Sequence, residues 1–490
     1  MDGDLRIFPP AASADETDIV GLTADSREVR PGFLFAALPG TKTDGRQFID
    51  DAVRRGAVAV LTDNPKDWSA LTQRQPPIFV VADANPRRRL ALMAARFYGA
   101  QPRTLCAVTG TNGKTSVADF TRQIWRALGH KSASMGTIGI VGPDFHRPGS
   151  LTTPDPVSLH RDLAELARGG VDHVALEASS HGLEQHRLDG LHVVAAAFTN
   201  LTRDHLDYHG TMAAYFTAKA RLFDSVMPAG GTAVLNADSG EFDKLAAISR
   251  NRGHRILGYG ACRRADLRIV SRRPTAEGQV LTIDLLGARH ELLLPLVGSF
   301  QAMNAMAAAG LALATGAATA DLVGILGRLE GVPGRMQRVA VLPSGATVYI
   351  DYAHTPDALD NVLAALRPHA ARRLSVVFGC GGDRDAGKRP TMGAIAKRLA
   401  DDIIVTDDNP RSEDPATIRA AVLAGCPGAR EIGDREAAIR AAMQALAAGD
   451  ILVIAGKGHE RGQTIAGVVH PFDDAEVARR IAGELGGTPR

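Results

Sequence analysis

The chain is poor in cysteine. Its four, Cys106, Cys262, Cys380 and Cys426, lie far apart and form no C-x-x-C pair. That argues against a cysteine zinc site and a disulfide framework, and suits a reducing cytosol. Excess charge of one sign is also missing. A formal net charge of +2 offers no electrostatic footprint for nucleic acid or a membrane surface, so neither is expected as a partner. The first residues, Met1 to Val20, are acidic and broken by Pro9 and Pro10, and show no basic start before an apolar run. No signal peptide is read there. The uncharged stretch Gly298 to Ala320 is rich in Ala and Gly and holds Ser299, Gln301 and Asn304. A buried helix is the reading, not a membrane span. Internal repeats and low-complexity tracts are absent. What remains is an ordinary globular composition, 45% hydrophobic and 22% charged over 490 residues, a length that suits about three domains.

Within that composition one stretch stands out: Gly110-Thr111-Asn112-Gly113-Lys114-Thr115-Ser116. It follows the apolar run Leu105 to Val108 and precedes a helical pattern from Val117 to Leu128. Strand, glycine turn and helix N-terminus together form a phosphate site, because backbone N–H groups and the helix dipole face an anion. Lys114 can reach outer phosphates and the Thr115 hydroxyl can ligate Mg2+. The general pattern has a glycine six residues before the lysine. Val108 stands there, so this is a shortened relative of it.

The chain separates into three segments, 1–100, 101–337 and 338–490. The first mixes short strands (Phe33 to Ala37, Ala57 to Leu61, Ile78 to Val81) with helical stretches. In the second, runs such as His173 to Leu176 and Val193 to Phe198 alternate with helical patterns, which predicts a parallel sheet covered by helices. The third repeats the alternation with Val348 to Ile350, Leu374 to Phe378, Ile403 to Val405 and Ile451 to Ile454. An α/β protein is expected, with a P-loop-type central sheet, a Rossmann-like C-terminal domain and a smaller N-terminal domain. Ligands of such sheets bind beyond the carboxyl ends of the strands.

Polar clusters follow those strands. Glu177, in the run Glu177 to Gly182, suits a hard Mg2+ ion, although Ser and Gly at that place also make turns and caps. The run Thr199 to Gly210 is dense in Asn, Asp and His. His205 there is a metal ligand, a phosphate contact or a structural histidine. Lys219 sits in a helical pattern and, on composition alone, is a surface lysine. Four more clusters follow the C-terminal strands: Asp351 to Asp357, Gly379 to Asp385, Asp407 to Arg411 and Ala455 to Glu460. Their mixture of Arg, Asp, Asn and Glu suits a zwitterionic ligand, with guanidinium on carboxylate and oxygens on ammonium.

Together these motifs resemble the Mur ligase family, ATP-dependent amide-forming enzymes of peptidoglycan precursor synthesis. The likeness runs from about Asp25 to Glu460. It rests on the glycine loop, Glu177, the run Asn200 to His205, Asn304, Gly334-Arg335-Met336 and Asp351 to His354. Folylpolyglutamate synthetases share part of that set. Asp25-Ser26-Arg27, Thr152-Thr153-Pro154, Ser179 to Gly182 and Gln185-His186-Arg187 resemble contacts to a UDP-MurNAc-dipeptide. Asp408-Asn409-Pro410-Arg411 resembles the signature of members that add meso-2,6-diaminopimelate; lysine-adding relatives lack that arginine. Ser116 departs from the threonine of many members but keeps a hydroxyl.

The resemblance implies the following assignments. ATP meets Gly110, Thr111, Asn112, Gly113, Lys114, Thr115, Ser116, Asn304, Arg335, Asp351 and His354. UDP-MurNAc-L-Ala-D-Glu meets Ala24, Ser26, Thr41, Lys42, Thr43, Thr152, Thr153, Ser179, Gln185 and Arg187. Diaminopimelate meets Arg384, Asp408, Asn409, Pro410, Arg411, Gly456 and Glu460. Lys114, Glu177, His205 and Lys219 are implied to be catalytic. Two Mg2+ ions are implied, with Thr115, Glu177, His205 and a carbamylated Lys219 as their ligands. A cytoplasmic monomer is expected, with ATP bridging two domains. A lysine-adding ligase and a folylpolyglutamate synthetase are the alternatives.

Overall fold

The computed structural model describes residues 6–8, 18–40, 43–63, 69–74, 77–149, 151–275 and 277–489. It divides into two compact units. One comprises Met1–Asn112, Gly129–Ala233 and Asp243–Ile256; the other comprises Gly113–Leu128, Val234–Phe242 and Leu257–Arg490.

In the first unit the chain begins with β1 (Arg6–Phe8), β2 (Gly21–Thr23), β3 (Phe33–Ala36), α1 (Ile49–Arg54), β4 (Ala57–Thr62), α2 (Ser69–Thr72), β5 (Phe79–Ala82) and α3 (Pro86–Tyr98). The sheet order is β1-β5-β4-β3-β2, parallel except for β1. Side chains of a strand alternate between faces. Leu34 and Ala36 therefore join Leu90 and Ala94 of α3, while Phe35 joins Ile49 of α1 and Val60 on the other side.

The chain continues through β6 (Thr104–Thr109), α4 (Lys114–Ala127), β7 (Ser132–Gly136), β8 (Gly139–Val141), β9 (His146–Arg147), α5 (Pro156–Arg168) and β10 (His173–Glu177). Then come α6 (Ser180–Glu184), β11 (Val193–Phe198), α7 (Leu206–His209) and α8 (Met212–Arg221). Strands β11-β6-β10-β7 are parallel, and β8 and β9 extend the β7 side as an antiparallel ribbon. Parallel strands covered on both faces read as continuous apolar runs, and every residue of β10 is buried. The chain passes between the units at β12 (Thr232–Asn236), α9 (Phe242–Asn251) and β13 (Arg255–Gly260).

The second unit continues with β14 (Leu267–Thr275), β15 (Gly278–Leu285), β16 (Ala288–Leu294), α10 (Ser299–Ala314) and α11 (Thr319–Leu326). Beyond the expected parallel strands, β14, β15 and β16 form an antiparallel meander. Most of β15 alternates buried and half-buried positions, the signature of a sheet with one wetter face. Helix α10 is the expected buried helix. Its small residues, including Ala302, Ala305, Ala308 and Ala309, are fully or almost fully buried, and it packs on α4.

The C-terminal sheet is built from β17 (Gln337–Val341), β18 (Thr347–Asp351), α12 (Pro356–Leu366), β19 (Leu374–Phe378), α13 (Lys388–Leu399), β20 (Asp402–Val405) and α14 (Pro415–Leu423). It continues with β21 (Arg430–Glu431), α15 (Arg435–Gln444), β22 (Ile451–Ala455), the hairpin β23 (Gly462–Ile465) and β24 (Val468–Pro471), α16 (Asp474–Glu484) and β25 (Thr488–Pro489). Its order is β21-β20-β19-β22-β18-β17-β25, parallel from β21 to β18. Ile451, Val453 and Ala455 face one core and Leu452 and Ile454 the other.

Arg435 and Asp474 tie α15 to α16. Both side chains are fully buried, with Nε and Nη2 of Arg435 each 2.7 Å from a carboxylate oxygen. Breaking one half of a buried pair leaves an uncompensated charge. Arg435→Met should therefore destabilise the C-terminal part by about 3–5 kcal/mol, read as a lower denaturant midpoint. Replacing both partners with apolar residues should cost clearly less.

Candidate functional site

The glycine loop crosses from the first unit to the second between Asn112 and Gly113, and each half is held within its own unit. On the first side the loop after β11 grips it. Thr111 N–H donates to the Asn200 carbonyl at 2.9 Å and Asn112 N–H to Asn200 Oδ1 at 3.0 Å. The Thr199 hydroxyl donates to the Asn112 carbonyl at 2.6 Å. A Cβ on Gly110 would fall 1.8 Å from that hydroxyl oxygen, at a φ of +146° that favours glycine. Lys219 is buried, not the surface lysine that composition alone suggested, and its ammonium donates to the Gly110 carbonyl at 2.7 Å. The same ammonium lies 4.3 Å from the centre of the Tyr215 ring. Burial pushes the Tyr215 hydroxyl up to about 12; that hydroxyl lies 3.2 Å from Thr111 Oγ1.

On the second side Gly113 adopts φ +90°, and a Cβ there would meet Asn304 Oδ1 at 2.5 Å. Lys114, Thr115 and Ser116 form the first turn of α4, where backbone N–H groups lack intrahelical partners and favour an anion. Asn304 Nδ2 donates to Gln301 at 3.0 Å, and Gln301 Nε2 reaches the Arg335 carbonyl at 3.4 Å. Asp351 accepts from Met336 N–H at 2.7 Å and Ala353 N–H at 2.9 Å. The Arg335 guanidinium stacks over Tyr352 at 4.7 Å. His354 Nδ1–H donates to the Tyr352 carbonyl at 2.8 Å.

Glu177 ends β10, buried, beside Thr137. Its two oxygens accept from Thr137 N–H at 2.7 Å and Thr137 Oγ1 at 3.3 Å. Gly136 leaves the room this requires, since a Cβ would sit 2.0 Å from Glu177 Oε1. Thr152 Oγ1 lies 3.0 Å from Thr137 Oγ1, and Thr153 Oγ1 donates to the Glu177 carbonyl at 2.8 Å. Ser179 caps α6, Arg187 donates to the Thr153 carbonyl at 2.6 Å, and Gln185 accepts from Arg187 at 2.7 Å. The sequence-predicted dipeptide contacts of the first unit's central sheet thus form one connected patch next to Glu177. His205 is exposed, at φ +52°, with its ring 4.9 Å from that of His181. Burial, then the charges of His205 and His209, press the His181 imidazole down to about 4.

Of the N-terminal candidates, Ser26 is buried while Ala24 and Thr43 are exposed. Thr41 and Lys42 lie outside the described residues.

The C-terminal clusters meet at a cavity of about 700 Å³ lined by Arg384, Lys388, Asp408, Asn409, Arg411, Gly456 and Glu460, among others. Pro410 is buried beside them. The loops after β19 and β20 press together so closely that a Cβ on Gly382 would fall 1.9 Å from the Pro410 carbonyl oxygen. Arg411 has φ +53°, a conformation that costs a non-glycine residue about 1–3 kcal/mol. The β23–β24 hairpin imposes it: Arg411 N–H donates to Thr464 at 2.9 Å, and Ala466 N–H donates back to Arg411 at 2.7 Å. The guanidinium donates to the Gly382 carbonyl at 2.7 Å. Asp408 is buried with Oδ2 unbonded among the described residues, and burial pushes its carboxyl up. Cations and carboxylates thus line one cavity, as a zwitterion requires.

Thr137, Tyr215, Lys388 and Lys457 escaped sequence reasoning. Thr137 follows a strand of Ser, Ala, Met and Gly, which carries little strand signal. The other three act through contacts distant in sequence.

Three family models match the chain: Mur ligase family, catalytic domain, over 18–98; Mur ligase middle domain, over 108–312; and Mur ligase, glutamate ligase domain, over 334–458. A curated relative from Caulobacter vibrioides, named UDP-N-acetylmuramoyl-L-alanyl-D-glutamate–2,6-diaminopimelate ligase, is 56% identical, covering 96% of this chain and 97% of its own. A solved structure of a protein with that name has TM-score 0.72 at 37% identity, covering 95% of both chains. The Thermotoga maritima MurF ligase in complex with ADP shares the fold, with TM-score 0.62 at 18% identity, covering 96% of this chain and 98% of its own.

Burial pushes the Asp351 carboxyl up to about 6. The folded state then holds this proton more tightly than the unfolded state. The contribution to stability is full below about pH 4 and is lost as pH rises through 6, about 3 kcal/mol at most. Wild type compared with Asp351→Asn should therefore lose that much relative stability between pH 4 and pH 7, measured by denaturation at each pH. A difference independent of pH would contradict the assignment.

Proposed function

The chain belongs to the Mur ligase family, and on that premise we propose that it joins meso-2,6-diaminopimelate to the D-Glu γ-carboxylate of UDP-MurNAc-L-Ala-D-Glu. ATP is the energy source, and the ligation is a step of peptidoglycan precursor synthesis. The observation that carries this reading is the cavity lined by Arg384 and Arg411 together with Asp408 and Glu460, alongside relatives that are diaminopimelate ligases by name.

The chemistry follows from charge. The substrate carboxylate attacks the γ-phosphorus of ATP, ADP leaves, and an acyl phosphate forms. The amine of the second substrate then attacks the acyl carbon. A tetrahedral intermediate collapses, phosphate departs, and the ammonium proton is lost in forming the amide. Anion meets anion in the first step, so positive charge and N–H dipoles must be concentrated there. In this reading Lys114 and the first turn of α4 take the phosphates. Gly110, Thr111, Asn112, Gly113 and Ser116 form the rest of the cradle, with Asn304, Arg335, Asp351 and His354 completing the nucleotide site.

Thr115, Glu177 and His205 are assigned to Mg2+, with the Glu177 carboxylate supplying the hard oxygen that ion requires. Among the described residues, the two Glu177 oxygens accept only Thr137 donors, and each oxygen keeps a lone pair. Mg2+ would supply charge neutralisation at the transferring phosphate. Lys219 as an ammonium is a donor to Gly110 and cannot ligate a cation. Carbamylation, in which the amine nitrogen bonds the carbon of CO2 and loses a proton, would give it two oxygens and a negative charge. Ala24, Ser26, Thr41, Lys42, Thr43, Thr152, Thr153, Ser179, Gln185 and Arg187 are assigned to the UDP-linked substrate. The connected patch beside Glu177 supports the last five.

For the amino acid, Arg411 and Arg384 are assigned to carboxylates, and Asp408, Asn409, Pro410, Gly456 and Glu460 to the distal amino-acid end. Lysine has no second carboxylate, so it would leave an arginine unpaired, a source of selectivity. The reading assigns the UDP-linked substrate to residues 1–100, ATP to residues 101–337 and the amino acid to residues 338–490. Among the described residues no helix is long and apolar enough to cross a membrane, and the reading includes a cytoplasmic monomer.

Phosphate release from ATP with the UDP-linked dipeptide should require an added amino acid and prefer meso-diaminopimelate over L-lysine by at least 100-fold in kcat/KM; equal use of both would sink the assignment. Arg411→Ala should raise KM for diaminopimelate more than tenfold and leave KM for ATP within twofold. Lys219→Ala should lose at least 100-fold in kcat, with partial recovery in short-chain carboxylic acids. Full activity of that variant would remove the carbamate role.

A further inference from the structure

Behind the wall of the C-terminal cavity sits Lys457, one of the largest fully buried side chains in the chain. It follows β22 and does not itself line the cavity. Its ammonium donates to Asn409 Oδ1 at 3.3 Å, to Glu460 Oε2 at 3.4 Å and to the Gly462 carbonyl. An ammonium has three donors. All three are engaged, and none remains for a ligand.

The consequence falls on its two neighbours. Asn409 Oδ1 accepts from Lys457 and also from Thr464 N–H at 2.9 Å. That dictates which way the amide points: its nitrogen faces Glu460 and donates to Oε2 at 2.9 Å. Glu460 Oε2 thus accepts from both Asn409 and Lys457. Among the described residues, Oε1 of the same carboxylate accepts nothing, and Glu460 lines the cavity. Asp408 stands on the same wall, where a Cβ on Gly456 would approach its Oδ2 to 2.5 Å. Two carboxylates on one cavity repel each other, and a buried cation behind them offsets one charge. A buried ion pair is weak evidence of a stabilising role, so an ammonium that ties Asn409 of one loop to Glu460 and Gly462 of its own calls for another explanation.

We infer that Lys457 is a positioning residue for the amino-acid substrate: it fixes Asn409 in one amide orientation and turns Glu460 so that Oε1 faces the substrate's distal ammonium. This rests on the reading of the cavity as the diaminopimelate site.

Lys457→Met keeps the length and the burial and removes the donors. Steady-state phosphate release by the full-length variant is expected to show KM for meso-diaminopimelate raised at least tenfold, with KM for ATP within twofold of wild type. Lys457→Met combined with Glu460→Gln should raise that KM no further than Glu460→Gln alone. A fall in kcat with KM for diaminopimelate unchanged, or additive effects in the double variant, overturns the inference. Should Lys457→Met fail to fold, Lys457→Arg takes its place. It keeps the charge, but a planar fork cannot meet the three oxygens. The same split at smaller size supports the inference, and equal rises in both KM values overturn it. Wild type inactive with meso-diaminopimelate overturns the substrate assignment and this inference together, a pattern distinct from active wild type with an unaltered variant.

Discussion

Gly110 has no room for a side chain, because the Thr199 hydroxyl oxygen lies 1.8 Å from where a Cβ would stand. That close approach of the Thr199 side chain and the Asn200 backbone N–H is what the first half of the site depends on. It allows Thr199 and Asn200 to hold the carbonyls and N–H groups of the glycine loop, and it leaves the Gly110 carbonyl facing Lys219. The approach is possible because β6 and β11 are parallel neighbours, so their loops leave the sheet at the same end. Glu177 at the end of β10 joins them there, since β10 pairs with β6 on its other side.

The C-terminal sheet uses the same geometry for a different chemistry. Its parallel strands also release their loops at one end, and the glycines after β19 let those loops touch the loops after β20. What gathers is a mixture of charges and not a phosphate cradle. The strain at Arg411 is held by the β23–β24 hairpin, so the guanidinium is preorganised before any ligand arrives.

Much of this was legible in the sequence, for a physical reason. The glycine loop, the runs after β18, β19, β20 and β22, and the helix α10 are local patterns: apolar runs with turn residues at their ends. The antiparallel meander from β14 to β16 was not legible as such, because strand direction depends on pairing between distant residues. Nor were Thr137, Tyr215 and Lys457, whose roles exist only when folding brings a remote partner to them. Lys219 shows the difference most clearly. In the sequence it is one lysine of a helical stretch; in the structure it is buried against a carbonyl 109 positions away in the chain.

In the proposed reaction, phosphate chemistry at the glycine loop activates a carboxylate for amide formation. The most direct measurement follows oxygen. UDP-MurNAc-L-Ala-D-Glu labelled with 18O in the D-Glu γ-carboxylate is turned over with ATP and meso-diaminopimelate, and the released phosphate is analysed by mass spectrometry. An acyl phosphate carries one carboxylate oxygen to phosphorus, so one 18O per phosphate formed is predicted. Phosphate free of label, formed while the amide product accumulates, would contradict the account.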